Sequence, residues 1–476
     1  MRSWTLKHWV GAFILLAGMM AMAYFFATQE VALGLMIAII PLSVLIVLIS
    51  LKQPYWALML LFVENYFLMG ISRYVPVSSL GILTDLLFAF ILFSTLFRSV
   101  INGDIEWKRA LNGGTILLTI WLLYCVLELA NPTAVSAAWA TSIRSMTLYP
   151  LLTVILASIH FRRFEDMSRI ITLWAAFTLI AIVKLQMQKT LGFDAAEHRW
   201  LMQGENMKTH LLATGTRYFS IFTDAGNFGS NMGCAAVVFF IAGLYAPNKL
   251  LRGFLIITSI LGLYALIISG TRGALAVPLA GFVLFTLMTK KGPLIVLMFV
   301  LLLSTFVFFR YTTIGQSNQY IRRMRTAFNL NEPSLVVRLE NQKRLGSYIK
   351  TRPFGEGVGL SGVAAKRYAP NRLTTNIPND SWYVKVWVET GIVGLLLYLS
   401  IQFAFLGYGI WLVMKKLKHR QLKGYLTAML CGMFGMMASS YGNAIWGQYP
   451  TWMLMALTQA FVMMAPRYDD ALERLT

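Results

Sequence analysis

Residues 252–289 read RGFLIITSILGLYALIISGTRGALAVPLAGFVLFTLMT. Two apolar runs, 252–269 and 273–289, flank a very short connection that carries Arg272. Each run is long enough to cross a ~30 Å hydrocarbon core as an α-helix. The pattern recurs outward in both directions, with apolar windows at 10–27, 31–50, 54–70, 80–97, 114–130, 147–160, 168–186, 228–246, 293–309, 382–410, 424–440 and 449–465. Together they predict an all-α polytopic membrane protein of about fourteen transmembrane helices. The composition agrees, at 57% hydrophobic and 13% charged, with a mean hydropathy of +0.64. Such a chain is no ordinary soluble enzyme.

The net charge of +21, from 41 Lys+Arg against 20 Asp+Glu, would suggest nucleic acid in a soluble chain. In a membrane protein it first sets orientation. If the N-terminus is inside, the loops on that side hold Lys52, Arg98, Lys108, Arg109, Arg162, Arg163, Arg169, Lys249, Arg252, Lys290, Lys291, Lys415, Lys416, Lys418, Arg420 and Lys423. Arg2, Lys7, Arg467 and Arg474 at the termini join them. The opposite side holds only Arg73, Arg144, Lys189, Arg199, Lys208, Arg217 and Arg272, leaving out a long loop to which the bias does not apply. Both termini are therefore expected in the cytoplasm. Arg2 and Lys7 also precede a small-residue site, Ala21-Met22-Ala23, but the apolar run continues past it and a second span follows, so a retained helix is expected. Cys125, Cys234 and Cys431 fall within spans and read as packing residues.

Three regions follow. Residues 1–309 hold the first eleven spans with an outer loop at 187–227, residues 310–381 form a long outer loop, and residues 382–476 hold the last three spans and the cytoplasmic C-terminus. The long loop carries 12 Lys/Arg against Glu332, Glu340, Glu356 and Asp380, a net of +8. Within it, SLVVRLENQKRLGSYIK (334–350) repeats apolar residues at roughly helical spacing, and Thr351-Arg352-Pro353 stops it. An amphipathic helix resting on the bilayer or on other spans is expected, with Arg338, Lys343 and Arg344 facing lipid phosphates.

The chemistry-bearing residues gather on the outer side. Arg272 is confined to the interface by its short connection, and Arg217 lies shortly before the span at 228–246. A guanidinium offers paired, planar donors suited to phosphate oxygens and stays charged near lipid. With the +8 loop, these two describe a site for an anionic lipid headgroup; the alternative for Arg272 is an interface anchor. Acids within spans are Glu64, Asp85, Glu128 and Glu389, of which the first three read as helix ties. Glu389, or Asp380 just outside the same span, can take a proton from a hydroxyl. PFGEGVGLSG (353–362) has four glycines but lacks the Lys-Ser/Thr of a nucleotide loop, and reads as a flexible turn. No metal-ligand spacing and no paired-carboxylate motif stands out, so no cofactor is expected and a metal-independent mechanism is the simpler reading. Aromatics among the bases belong to membrane interfaces and give no nucleic-acid signal.

Four blocks, TRYFSIFTDAGNFGSNMG (216–233), LIISGTRGALAV (266–277), VRLENQKRLGSYIKTRPFGEGVG (337–359) and NIPNDSWYVKVWVETGIVGLLLYL (376–399), resemble in order the bacterial O-antigen ligase and polymerase family, membrane glycosyltransferases of surface polysaccharides. The resemblance implies a bacterial inner-membrane enzyme with a periplasmic active site and a donor glycan on undecaprenyl diphosphate. It also implies a glycan acceptor, an outer loop closing over the site, and polysaccharide export machinery as a partner. Arg217 and Arg272 match arginines that hold the diphosphate, and Arg338 joins them as a substrate-binding candidate. Asp380 or Glu389 would take the acceptor's proton, and Trp382 or Tyr383 would stack on the acceptor sugar. Ligases of the family often carry a His before the Asn of the last block. Pro378 precedes Asn379 here, and no His is carried over. Polymerisation is the main expectation and ligation to a lipid A core the second. A lipid-linked glycan transporter is the third; transporters usually carry inverted repeats and mid-membrane helix breaks, and no repeated block is visible.

Overall fold

The computed structural model describes residues 49–75, 81–204, 206–212, 215–290, 292–328 and 333–474. The expected span at 10–27 and nearly all of that at 31–50 lie outside the described residues. From residue 54 onward each expected window meets a helix. These are α1 Pro54–Ile71, α2 Gly81–Asn102, α3 Gly113–Leu127, and α4 Ser136–Ile143, which runs through a π turn at Arg144–Leu148 into α5 Tyr149–His160. Then come α6 Phe164–Thr190, the short α7 Ala195–Leu201 and α8 Asn206–His210, and a small hairpin of β1 Leu211–Leu212 with β2 Gly215–Thr216. Next follow α9 Ala225–Leu244, α10 Lys249–Ile268, α11 Ala276–Thr289, α12 Gly292–Tyr311, α13 Gln319–Arg325 and α14 Pro333–Ile349. The last are α15 Leu373–Asn376, α16 Trp382–Trp411, α17 Arg420–Ser439 and α18 Thr451–Glu473. Among the described residues, nine spans are long and apolar enough to cross a membrane, and the apolar helix Ile295–Tyr311 is shorter. The protein is an all-α polytopic membrane protein. The expected windows at 424–440 and 449–465 are the more polar α17 and α18, both largely buried.

The described residues divide into two compact units, one drawn from residues 49–61 and 81–105 and the other from residues 62–75 and 106–474. In the first, Arg98 Nε donates to Asp104 Oδ2 at 2.9 Å. The second holds everything described below.

Its centre is α9, almost every residue of which is buried, packed against α10, α11 and α17. Lipid supplies no hydrophobic drive between helices, so close backbone approach and polar pairs must do the work. Small residues provide the first. A Cβ on Gly229 would meet Ser269 Oγ at 2.4 Å, and one on Gly233 would meet Leu266 at 2.8 Å. Polar pairs provide the second: Asn231 donates to Thr451 Oγ1 at 2.8 Å, Thr451 Oγ1 donates to Asn227 Oδ1 at 2.9 Å, and Gln459 donates to Gln402 at 3.0 Å. Cys125, Cys234 and Cys431 are free thiols buried in the same packing.

One helix is broken by design of its sequence. Gly391, in the ETG of α16, has φ +66, and a Cβ there would sit 1.9 Å from the Pro353 carbonyl oxygen. The break frees main-chain groups inside a buried stretch of an apolar helix, where each needs a partner. The glycine turn at 353–362 supplies them: Glu356 N donates to Val388 O at 2.9 Å, Gly357 N to Glu389 O at 3.0 Å, and Val393 N finds Pro353 O at 3.3 Å. Gly355, also at positive φ, lies so close that a Cβ would meet Gly391 N at 2.5 Å. The turn expected to be flexible is instead a buried plug in a helix, and its glycines are there for close approach. The helix foreseen at 334–350 is α14. Its Leu345 and Ile349 pack on Val388 and Ile377, with Tyr348, Val384 and Trp387 beside them. Its apolar side therefore rests on α16.

Candidate active site

The site is built on the N-terminus of α9. Asp224 caps that helix, accepting from Gly226 N at 2.6 Å and Asn227 N at 3.0 Å. The segment before it is tied down. His210 donates through Nδ1 to Asn206 O at 2.8 Å and accepts through Nε2 from Ala225 N at 3.3 Å. Those partners require the neutral ring, and burial lowers its pKa to about 4. Arg73 donates to Ser220 O at 2.6 Å and to Phe222 O, and lies over the rings of Phe219 and Trp200 at 4.4 and 4.6 Å. Its burial brings even a guanidinium down to about 10.

This frame fixes Arg217. Its main-chain N–H donates to His210 O at 2.8 Å. Its Nη1 donates to Thr209 O and its Nη2 to Thr271 Oγ1, both at 3.1 Å. Thr271 Oγ1 in turn donates to Ala225 O at 2.7 Å, tying the arginine to the top of α9. Thr271 and Arg272 sit in the short link between α10 and α11. There Gly270, at φ +65, makes room for two side chains, since a Cβ would meet Arg323 Cδ at 3.1 Å and Arg217 Cγ at 3.5 Å. Gly273 likewise admits Asn443, whose Nδ2 would lie 2.6 Å from a Cβ. Arg272 Nη1 donates to Thr326 Oγ1 at 2.8 Å, and Arg323 Nε to Gly270 O at 2.6 Å.

The third side comes from α14 and the start of α16. Arg338 Nε lies 3.4 Å from Asp380 Oδ2, and its Nη1 donates to Gly442 O at 3.3 Å. Asp380 directly precedes Ser381, which caps α16 by accepting from Val384 N at 3.4 Å. Arg217 is held below its ordinary pKa chiefly by burial; Asp224 and Asp380 oppose that shift, while Arg338 and Arg272 add to it as like charges. Arg272, Arg338 and Asp380 thus all act on Arg217, although the four come from separate stretches of chain.

The remaining candidates lie elsewhere. Glu389 is fully buried, with Oε1 accepting from Ser361 Oγ at 2.8 Å and 3.2 Å from Lys385 Nζ. Its charged partner, Lys385, lies four residues back on the same helix. The indole of Trp382, 3% exposed, donates to Tyr398 OH at 2.9 Å, and Tyr383 OH donates to Met437 O at 2.7 Å. The Trp382 ring is buried, and the Tyr383 ring is half-buried with its hydroxyl engaged. Arg323, Thr271 and Asn443 escaped the reading of the sequence. Arg322, Arg323 and Arg325 are near neighbours in one short helix, and only the fold separates Arg323, on Gly270, from Arg325, which donates to Phe308 O at 3.0 Å. Among the described residues no cluster of three or more His, Cys, Asp or Glu is placed to hold a metal.

Three of these basic side chains, Arg272, Arg323 and Arg338, and the carboxylate of Asp380 fall inside one continuous stretch. Residues 257–399 match the O-antigen ligase family. The match runs from within α10 through α14 and the glycine plug into α16, and it leaves out Arg217, which precedes α9. It supports an O-antigen ligase-type or polymerase-type membrane function, with a lipid-linked glycan and an acceptor as substrates. No curated protein is significantly similar to the chain.

Proposed function

We propose that the protein is a metal-independent membrane glycosyltransferase that polymerises undecaprenyl-diphosphate-linked oligosaccharide repeat units of a surface polysaccharide at the periplasmic face of the bacterial inner membrane. The observation that carries the reading is that Arg272, Arg338 and Asp380 all lie near enough to Arg217 to act on its charge, with Asp380 paired to Arg338. Attack of an acceptor hydroxyl on the anomeric carbon breaks the bond from that carbon to the diphosphate oxygen. The bond's electron pair leaves on that oxygen, and fixed guanidinium groups stabilise the charge without having to reorganise. Arg217 and Arg272 hold the diphosphate. Asp380 takes the hydroxyl proton, because its side chain is 37% exposed while Glu389 is sealed. Undecaprenyl diphosphate leaves, and the lengthened glycan passes to export machinery.

Ligation to a lipid A core is the second reading, favoured by the name of the matching family; Pro378 in place of a His favours polymerisation. A strain lacking the gene separates them. Loss of a polymerase leaves single repeat units on the surface, whereas loss of a ligase leaves long polymer on undecaprenyl diphosphate. Unchanged polysaccharide would remove both readings, and repeat units trapped on the cytoplasmic leaflet would replace them with a transporter.

A further inference from the structure

Glu389 is a fully buried carboxylate that reaches no open space, in the helix that begins at the site. Its partners form a directed chain. The single hydroxyl hydrogen of Ser361 goes to Glu389 Oε1 at 2.8 Å, which leaves the Ser361 oxygen to accept from Asn379 Nδ2 at 2.6 Å. That polarity also fixes which way the Asn379 amide faces. Gly362, at φ +79, leaves the space, since a Cβ there would come within 2.9 Å of Asn379 Nδ2. Asn379 is joined by one peptide bond to Asp380, and on Asp380's other side Ser381 is held as the helix cap while its Oγ also donates to Ser440 O at 3.2 Å. Asp380 is therefore clamped from both neighbours, and one clamp runs through the glycine plug to Glu389.

We propose that Glu389 is a positioning residue which, through Ser361 and Asn379, sets Asp380 against Arg338 in the orientation that receives the acceptor proton. The inference rests on Asp380 being the base. A buried carboxylate costs free energy unless it is paired and hydrogen-bonded; Lys385 at 3.2 Å offsets the charge, and the hydrogen bond carries the function. The chain needs an acceptor at position 389, not a proton-accepting anion.

The test uses the full-length protein in two assays: the rate of polysaccharide formation in a deletion strain carrying each variant, and binding of undecaprenyl diphosphate to the purified variant in detergent. Glu389→Gln keeps an oxygen for Ser361 and is expected to retain activity within about threefold. Ser361→Ala and Glu389→Ala are each expected to lose about 10- to 100-fold, with binding unchanged. Because the links act in series, the double variant should be no worse than either single one. A dead Glu389→Gln beside an active Asp380→Asn would make Glu389 the base and overturn both readings. An active Asp380→Asn beside an active Glu389→Gln would remove the base assignment, and with it the positioning role that rests on it. Full activity in Ser361→Ala, or additive losses in the double variant, would overturn the positioning role while leaving Asp380 in place. Should Glu389→Ala fail to fold, Ser361→Ala and Asn379→Ala, which remove only small groups, decide the matter in the same two assays.

Discussion

Arg217 has two anchors, Thr209 O and Thr271 Oγ1, and only the second belongs to a side chain that can be changed without touching the arginine. Thr271→Val keeps the shape and removes the acceptor, so diphosphate binding should weaken about tenfold, the effect of losing one hydrogen bond to a charged group; Thr271→Ser should bind as the wild type does. Equal binding by the two variants would show that the hydroxyl does not aim the guanidinium. Arg272→Lys tests the fork itself. A point charge cannot replace two parallel donors, so activity in the deletion strain should fall at least tenfold while the protein still inserts. The sequence singled out Arg217 and Arg272 because each stands alone among apolar or glycine-rich residues on the outer side. It could not reveal Arg323, because helical phase within a run of arginines depends on what the helix packs against. Nor could it reveal that the Trp382 ring is buried, because an aromatic residue at a span's edge reads alike whether its ring faces a ligand or a neighbouring helix.

At the scale of elements, the broken α16 and the plug at 353–362 make one unit. Gly391→Ala forces a side chain into positive φ and into the Pro353 carbonyl. Strain of this kind costs about 1–3 kcal/mol before the clash is counted, so the variant should melt well below wild type in detergent, whereas Gly407→Ala, with open space around it, should not. Equal melting of both variants would mean that the plug does not hold the break. The segment from α8 to α9 carries a pH signature. The His210 ring has a folded pKa of about 4 against an ordinary 6.5. Between those values the unfolded chain binds a proton that the folded one refuses, so stability is complete above about pH 6.5 and falls as the pH drops toward 4. Melting temperatures measured across that range should fall less in His210→Gln than in wild type; parallel curves would place the loss on other groups. The spans and α14 were legible because periodicity and run length report burial directly. The plug was not. Glycines in a loop look the same whether they bend freely or approach another backbone, and only the partner, thirty residues away, distinguishes the two.

For the whole molecule, the decisive expectation is sidedness. Ser361 lies in the glycine turn of the long loop but is only 6% exposed, so it is a poor reporter; Lys366, on the exposed part of the same loop, is a better one. Cys125, Cys234 and Cys431 are buried and should give little background. An impermeant maleimide should label Lys366→Cys on intact cells with the outer membrane permeabilised, and Lys418→Cys only once the inner membrane is opened. The reverse pattern would turn the protein over and place the arginine cluster in the cytoplasm. The charge count that predicts this orientation is a property of the entire chain. It was readable from sequence because every short loop votes, whereas the meeting of four distant segments at one site depends on how the helices pack.

The loop bearing Lys366 leaves the plug at Gly362, beside Asn379, and returns at Tyr368, whose hydroxyl lies 2.7 Å from Thr141 Oγ1. Both ends are moored to the helical body, and in the single turn between them Ala365 is buried while Lys366 and Arg367 stand exposed. Doubling such a loop costs only about 0.6 kcal/mol in closure entropy. The exposed tip at Lys366 and Arg367 is thus a natural splice point, where an epitope or a purification handle can be grafted into the middle of the chain with the helical body left intact around it.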